Sequence, residues 1–379
     1  MIAADVAIVG GGVIGLSIAY ELARRGIIAA VLDAGPMGRQ ASWAGAGIIA
    51  PGATLPVKLP AAQLRTLASA LHPEWSARLL QETGIDNGYR RSGGVDVALD
   101  DAEAADLRGD AGRWRVEGIA FERLEPGDYG RVEPLLTDDL RAVYYLADRA
   151  QIRNPRHLCA LIAACRARGV NLLESRGATG FGLVGDRVGR VDTAMGPVAC
   201  GAVVVAAGAW SGPLLREARV GLETRPVRGQ MLLLDSGRPT LRRIVEHGHR
   251  YLVPRGDGLT LVGSTEEDAG FDARTTVEAL ADLHAEAVRL CPSMAEARVA
   301  GSWAGLRPGS ADGRPTIGRA PGLDNLFVAT GHRRSGLQLS TATAVLVVDL
   351  LTGAAPTIDL VPFRVDREPS PVAADAFRS

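Results

Sequence analysis

The segment Gly10-Gly11-Gly12-Val13-Ile14-Gly15 restricts the fold more than any other stretch of the chain. It follows an apolar run, Asp5 to Val9, that reads as a buried strand. It opens Val13 to Arg25, where Ile14, Ile18 and Leu22 recur at helical spacing. Gly26 closes that helix, and Ala29 to Leu32 supplies a second buried strand. A βαβ unit with parallel strands and a right-handed crossover is predicted. Read as GxGxxG at Gly10, Gly12 and Gly15, the glycines have separate steric tasks: a tight turn, close approach to a pyrophosphate, and close helix–strand packing. The helix start then points unpaired N–H groups and a positive dipole end at the phosphates. Asp33 ends the second strand 23 residues after Gly10, where a carboxylate accepts hydrogen bonds from ribose hydroxyls. Strand, turn, helix and acid together favour a dinucleotide site over a glycine turn of an unrelated α/β fold.

These residues leave NAD and FAD both open. Downstream, Ser42 precedes a run of small residues, Ala44 to Pro51, that includes Ala46, Gly47 and Ile48. Such a run lets backbone amides press against a flat ring system, or simply packs as a tight loop. A chain of 379 residues exceeds the usual single domain. Its net charge of -1 gives no field for nucleic acid. No CxxC pair or zinc spacing is present, and Cys159 and Cys165 read as core thiols of a helix in a reducing compartment. The N-terminus has no basic region or cleavage pattern ahead of the glycine motif, and Val345 to Leu351 is too short to cross a bilayer. The expectation is a cytoplasmic protein with no membrane contact.

Further helices are predicted over Ala61 to Gln81, Asn154 to Gly169, Thr275 to Leu290 and Thr341 to Leu351. Val170 to Leu173, Gly201 to Ala206 and Leu326 to Ala329 read as buried strands. Pro226 to Leu234, Arg250 to Pro254 and Leu259 to Gly263 alternate like antiparallel strands. Residues 51–150 are irregular and rich in proline and arginine. Nucleotide-type segments thus recur at the start, middle and end of the chain. The predicted class is α/β: a Rossmann-type domain of residues 1–50, 151–218 and 301–365, interleaved with an α+β substrate domain of residues 51–150 and 219–300 built on an antiparallel sheet. Residues 366–379 read as a loose tail.

Four blocks together resemble the D-amino-acid oxidase-like FAD-dependent oxidoreductases, and within them the branch that oxidises glycine and serves thiamine biosynthesis. They are Gly10 to Gly15 with Asp33; Ser42 to Pro51; Val203 to Ser211, with Ala207, Gly208 and Trp210; and Trp303 to Gly309 followed by Asp312 to Pro315 and Gly331 to Gly336. The resemblance spans nearly the whole chain and is weakest from Pro51 to Ala150. It implies FAD as cofactor, with Ala178, Gly331, His332, Ser335, Gly336, Leu337 and Gln338 also in contact with it. Arg307 matches the arginine that pairs with the substrate carboxylate. Tyr251 matches a tyrosine beside that carboxylate, His249 an active-site histidine, and Arg334 an arginine beside the flavin. Arg307 lies between Gly305 and Pro308-Gly309, which reads as a turn projecting the side chain into a site.

The implied reaction is oxidative deamination of glycine, sarcosine or a small D-amino acid. Hydride passes to flavin N5, an imine forms, and hydrolysis gives an oxo acid and ammonia, with oxygen reduced to hydrogen peroxide. A role in making the thiamine thiazole and a homo-oligomer, a tetramer among its forms, are implied by resemblance alone. A D-amino acid dehydrogenase passing electrons to a quinone or carrier is the alternative. An NAD-dependent dehydrogenase and a non-catalytic flavin subunit are further competitors, the latter with no use for a carboxylate anchor. No cysteine falls in the late blocks, so FAD is expected to be bound non-covalently. Glu266 stands where the resembled enzymes have an apolar residue. It is a solvated loop carboxylate, or it faces the pocket edge and biases the site toward small or basic amines.

Overall fold

A computed structural model describes residues 2–54, 56–238 and 241–369. Strand Ile2–Val9 lies at the centre of the first sheet, between Val198–Val205 and Ala29–Leu32, and parallel to both. Leu326–Thr330 extends the parallel order on one side and Asn171–Leu173 on the other. Val-rich runs suit strands buried on both faces. Alternate residues serve opposite layers: Ile8 and Val204 face one core, and Ala7, Val9, Val203 and Val205 the other. The first core is covered by helices Val13–Arg24, Pro60–Thr83, Asn154–Ala167 and Gly336–Thr352, through Leu16, Trp75, Leu161 and Leu339. The segment Arg333–Thr352 is long and apolar enough to cross a membrane, but 72% of its apolar window is buried inside the protein. It is built as a core helix of this fold.

The second sheet runs in the order Arg298–Gly309, Arg225–Asp235, Leu259–Gly263, Arg250–Pro254, Ile244–His247, Gly94–Ala98, Ala142–Leu146 and Glu122–Arg123. It is antiparallel except where Ile244–His247 meets Gly94–Ala98. The first four strands carry the functional wall.

The structure departs from the sequence expectations in four places. Residues 51–150 contain ordered elements, among them helix Asp101–Val116, whose start is capped by the Asp100 carboxylate accepting from Glu103 N at 2.8 Å. Residues 301–309, expected in the nucleotide domain, belong to the long strand Arg298–Gly309 and pair with Arg225–Asp235 along its whole length. Arg307 therefore stands on a strand, not in a turn. Cys165 is buried as expected, whereas Cys159 is exposed on the outer face of its helix.

The fourth departure concerns the tail, whose residues 370–379 lie outside the described residues. Arg367 is anchored. Its Nε and Nη2 donate to the two oxygens of Asp312 at 2.9 and 2.8 Å, and it also bonds Thr316 Oγ1 and the Arg314 carbonyl. The Asp312 side chain is 2% exposed. Burial works to raise its pKa, but the bonds and charge of Arg367 outweigh burial and hold it below the usual range. Arg367→Ala leaves that carboxylate buried without its partner and is expected to cost about 2–4 kcal/mol near pH 7 in urea unfolding. The loss is full above the ordinary Asp range and shrinks as pH falls through the depressed pKa. A cost below about 0.5 kcal/mol at pH 7 would show that the contact does not anchor the chain end.

Candidate active site

A cleft of about 490 Å³ opens where the parallel strands end, within the roughly 300–1,000 Å³ range of small-molecule sites. Val9, Leu32, Ala206 and Ala329 bring the carboxyl ends of four strands to it, the place where open α/β sheets bind ligands. Met231, Tyr251 and Arg307 form the facing wall from the second sheet.

Missing side chains shape the nucleotide end. Gly10 has φ +111°, and a Cβ there would lie 2.3 Å from the Ala206 carbonyl oxygen. A Cβ on Gly15 would lie 1.9 Å from the Gly10 oxygen. The helix can therefore start hard against the strand only with glycine at both positions. Asp33 accepts from Gly11 N at 2.7 Å and from Gly35 N at 2.9 Å. Burial raises its pKa, against those two donors. Ser42 Oγ accepts from Val13 N at 2.9 Å, at the helix start.

The small-residue run is pinned from behind. A Cβ on Gly47, at φ +76°, would lie 1.9 Å from the Ile152 oxygen. Asn154 Nδ2 donates to the Ser42 carbonyl at 2.7 Å, Trp303 Nε1 to that of Ala44 at 3.0 Å, and Arg255 Nη2 to that of Ala46 at 2.6 Å. Burial, then the charges of Arg153 and Arg90, push the Arg255 pKa down to about 10.

At the other end, Arg307 is half-buried with its guanidinium over Gly229, where a Cβ would lie 2.1 Å from Nη2. Nη1 donates to the Thr265 carbonyl at 3.0 Å and Nη2 to Ser264 Oγ at 2.6 Å. Burial pushes its pKa down, Tyr251 and Glu266 pull it up, and Arg334 pushes it down. A guanidinium stays charged regardless. Tyr251 stands near Arg307 in the same wall and lies over Gly263, where a Cβ would be 2.6 Å from its ring. Its hydroxyl also points at Met231 Sδ, 3.5 Å away.

Most of the expected cofactor residues line this cleft. Gly10, Gly12, Val13, Ile14 and Asp33 are in its wall, followed by Ser42, Ala46, Gly47 and Ile48. Ala178, Ala207, Gly208 and Trp210 come next, then His332, Ser335, Gly336, Leu337 and Gln338. Gly15 lies one step back in the helix. Gly331, at φ +75°, turns the chain behind the wall beside Ser310. His332 is buried, bonds Thr343 Oγ1 at 3.0 Å and is pushed by burial to a pKa of about 3, so its ring is neutral. Tyr251, Arg307 and Arg334 are brought together in the wall.

His249 requires a correction. It is exposed in the turn between Ile244–His247 and Arg250–Pro254, and its carbonyl accepts from Arg334 Nη2 at 2.8 Å. It borders a second cleft, of about 990 Å³, and not the first. Gly248, at φ +55°, forms the turn just before it. Asn154, Arg255, Gly229, Ser264 and Thr265 were not anticipated. Each acts through a partner distant in sequence, and no local motif marks such a pairing.

The donor set fits FAD. The buried Gln338 Nε2 and Asn154 Oδ1 have no partner among the described residues, and both residues line the cleft. Together with the glycine cradle they suit a long polar ligand that lies along the run from Gly10 to Gly47.

The family model for FAD-dependent oxidoreductases (DAO) matches residues 5–350. The chain belongs to this family. The glycine oxidase of Pseudomonas putida is 39% identical over 368 residues, covering 95% of this chain and 97% of the relative. The crystal structure of glycine oxidase from Geobacillus kaustophilus superposes with a TM-score of 0.93 at 33% identity, covering 98% of this chain and 100% of that one. The bifunctional protein ThiO/ThiG of Trichormus variabilis is 32% identical over 359 residues, covering 92% of this chain and 52% of the relative.

The protein is thus an FAD-dependent amino acid oxidoreductase of the DAO family. Its glycines shape both ends of the cleft, and Gly229 makes a direct test possible. A side chain at Gly229 must displace the Arg307 guanidinium while leaving the nucleotide cradle alone. Gly229→Val is expected to keep bound flavin and to raise KM for an amino acid by about tenfold or more, the scale of one lost charge-assisted contact. An unchanged KM would show that the seat of Arg307 does not depend on Gly229.

Proposed function

We propose that the protein oxidises glycine, or a similarly small amine such as sarcosine or a small D-amino acid, at its C–N bond. One observation carries this reading: a seated arginine, Arg307, with Tyr251 near it in the same wall, faces the end of a cradle that fits FAD. The names of the two glycine oxidases support the substrate class, and ThiO/ThiG supports a role in supplying the thiamine thiazole.

Bound FAD supplies the two-electron acceptor for the Cα–H bond and returns those electrons to oxygen, which becomes hydrogen peroxide. The chain does the rest. Arg307 holds the carboxylate by paired N–H donors, and Tyr251 adds a hydroxyl donor beside it. This fixes the α-carbon between the two walls and supplies orientation. The amine reacts as its neutral form. Arg307 and Arg334 disfavour an ammonium beside them, because like charge opposes the cation. No protein base is required. The imine product leaves the cleft, and water converts it to the oxo acid and ammonia.

We further propose that FAD is held non-covalently, since Cys159, Cys165, Cys200 and Cys291 do not line the cleft. Acid or urea denaturation followed by filtration is expected to put all yellow colour in the filtrate. Colour retained on the unfolded chain would overturn this.

The activity itself is tested by mixing the protein with glycine without oxygen and following flavin absorbance. Bleaching, reversed by air with one hydrogen peroxide per turnover, is the expected result. Bleaching that air reverses slowly and a quinone or dye reverses fast would assign the D-amino acid dehydrogenase reading instead. No bleaching by glycine, sarcosine or D-alanine would overturn the proposal.

A further inference from the structure

The loop after strand Leu259–Gly263 touches the wall of the cleft through Arg307, Arg333 and Arg334, and is tied on each side of Glu266. Ser264 Oγ and the Thr265 carbonyl hold the Arg307 guanidinium. Glu267 pairs with Arg228 and accepts from Gln230 Nε2 at 2.9 Å. Further along, Phe271 lies against Trp210 with ring centroids 5.2 Å apart. Glu266 therefore has a defined position. Its carboxylate pairs with Arg333, and its Oε2 stands 3.7 Å from Arg334 Nη1. Both arginines line the cleft that holds Arg307. The three side chains are 19–30% exposed, so bulk water screens the cluster incompletely.

Without Glu266, Arg333 and Arg334 would lose a carboxylate that offsets their charge, beside a ligand already anchored on Arg307. Guanidinium donors so placed make an anion site. Glu266 fills it from inside the protein. Any second anionic group on a substrate must displace that carboxylate and leave it half-buried away from its partners, which opposes binding.

We propose that Glu266 sets the charge specificity of the cleft: it pairs with Arg333 and offsets the charge of Arg334, so the site takes an amine with one carboxylate and turns away one with two anionic groups. The inference rests on the reading that Arg307 binds a substrate carboxylate. Burial alone would raise the Glu266 pKa. The hydrogen bond from Arg333 and the charges of Arg333, Arg334 and Arg307 hold it below the usual range, so the carboxylate is ionised at neutral pH.

The first test requires no turnover. The yellow holoenzyme is titrated with acetate, malonate and succinate, with flavin absorbance as the signal. The native protein is expected to bind the dicarboxylates no more tightly than acetate. In Glu266→Gln the dicarboxylate-to-acetate affinity ratio should rise about tenfold, the equivalent of one charge-assisted contact. Adding Arg333→Gln to that variant should abolish the gain. The kcat/KM ratio of iminodiacetate to sarcosine, the same secondary amine with and without a second carboxylate, should rise similarly and through KM. Should Glu266→Gln lose its flavin, Glu266→Asp withdraws the carboxylate by one methylene and should show a smaller rise in the same ratio. A ratio unchanged in a variant that keeps its flavin, or a native protein that already prefers dicarboxylates, would overturn the proposal. Glycine that fails to bleach the flavin while the titration behaves as expected would sink the activity reading and leave the anion gate standing.

Discussion

Contact between backbones, at places where no side chain intervenes, is what the site depends on. At Gly10 and Gly15 the strand, the turn and the first helix touch through main-chain atoms, and any Cβ would enter a carbonyl oxygen. The contact lets a helix start at the end of the central strand with its amides facing the cleft. The same device recurs at Gly47 against Ile152, which presses the small-residue run toward the cleft. These approaches cost conformational entropy in the unfolded chain and expose backbone. The four-helix layer and the Val-rich sheet offset that cost by burying two apolar faces.

The second sheet uses absence in another way. Gly229 and Gly263 leave gaps on the face that looks toward the cleft, and the Arg307 guanidinium and the Tyr251 ring fill them. Strand register makes this possible. Gly263 stands opposite Met231 on one side and Tyr251 on the other, while Arg307 stands opposite Val227. A half-buried arginine needs partners for its donors. Ser264 and Thr265 provide them from the loop that carries Glu266, so Arg307 and that loop are mechanically linked.

The nucleotide half was legible because its constraints are local. The strand–glycine–helix run fits in residues 2–24, and Ala29–Leu32 and Arg250–Pro254 have the bounds their patterns predict. In residues 51–150 the helix Pro60–Thr83 was legible, but the strands were not, because they pair with distant segments such as Ile244–His247 and carry weak alternation of their own. Arg307 was identified by its motif yet given the wrong backbone. Gly305 and Pro308 look like turn residues, but here the glycine avoids Ala44 and the strand continues past the proline. His249 was misplaced for a related reason: it stands in an exposed turn, and no periodicity reports where that turn lies relative to the cleft.

By itself, the sequence determined the βαβ unit, the glycine positions that admit a dinucleotide, and the residue types able to anchor a carboxylate. Those follow from sterics and periodicity over a few residues. Only the tertiary structure decided which arginine is seated over which glycine, that Arg367 closes on Asp312, and that Glu266 pairs with Arg333 and Arg334. Those pairings join segments tens of residues apart, and their energies depend on burial and register, which exist only once both sheets are in place.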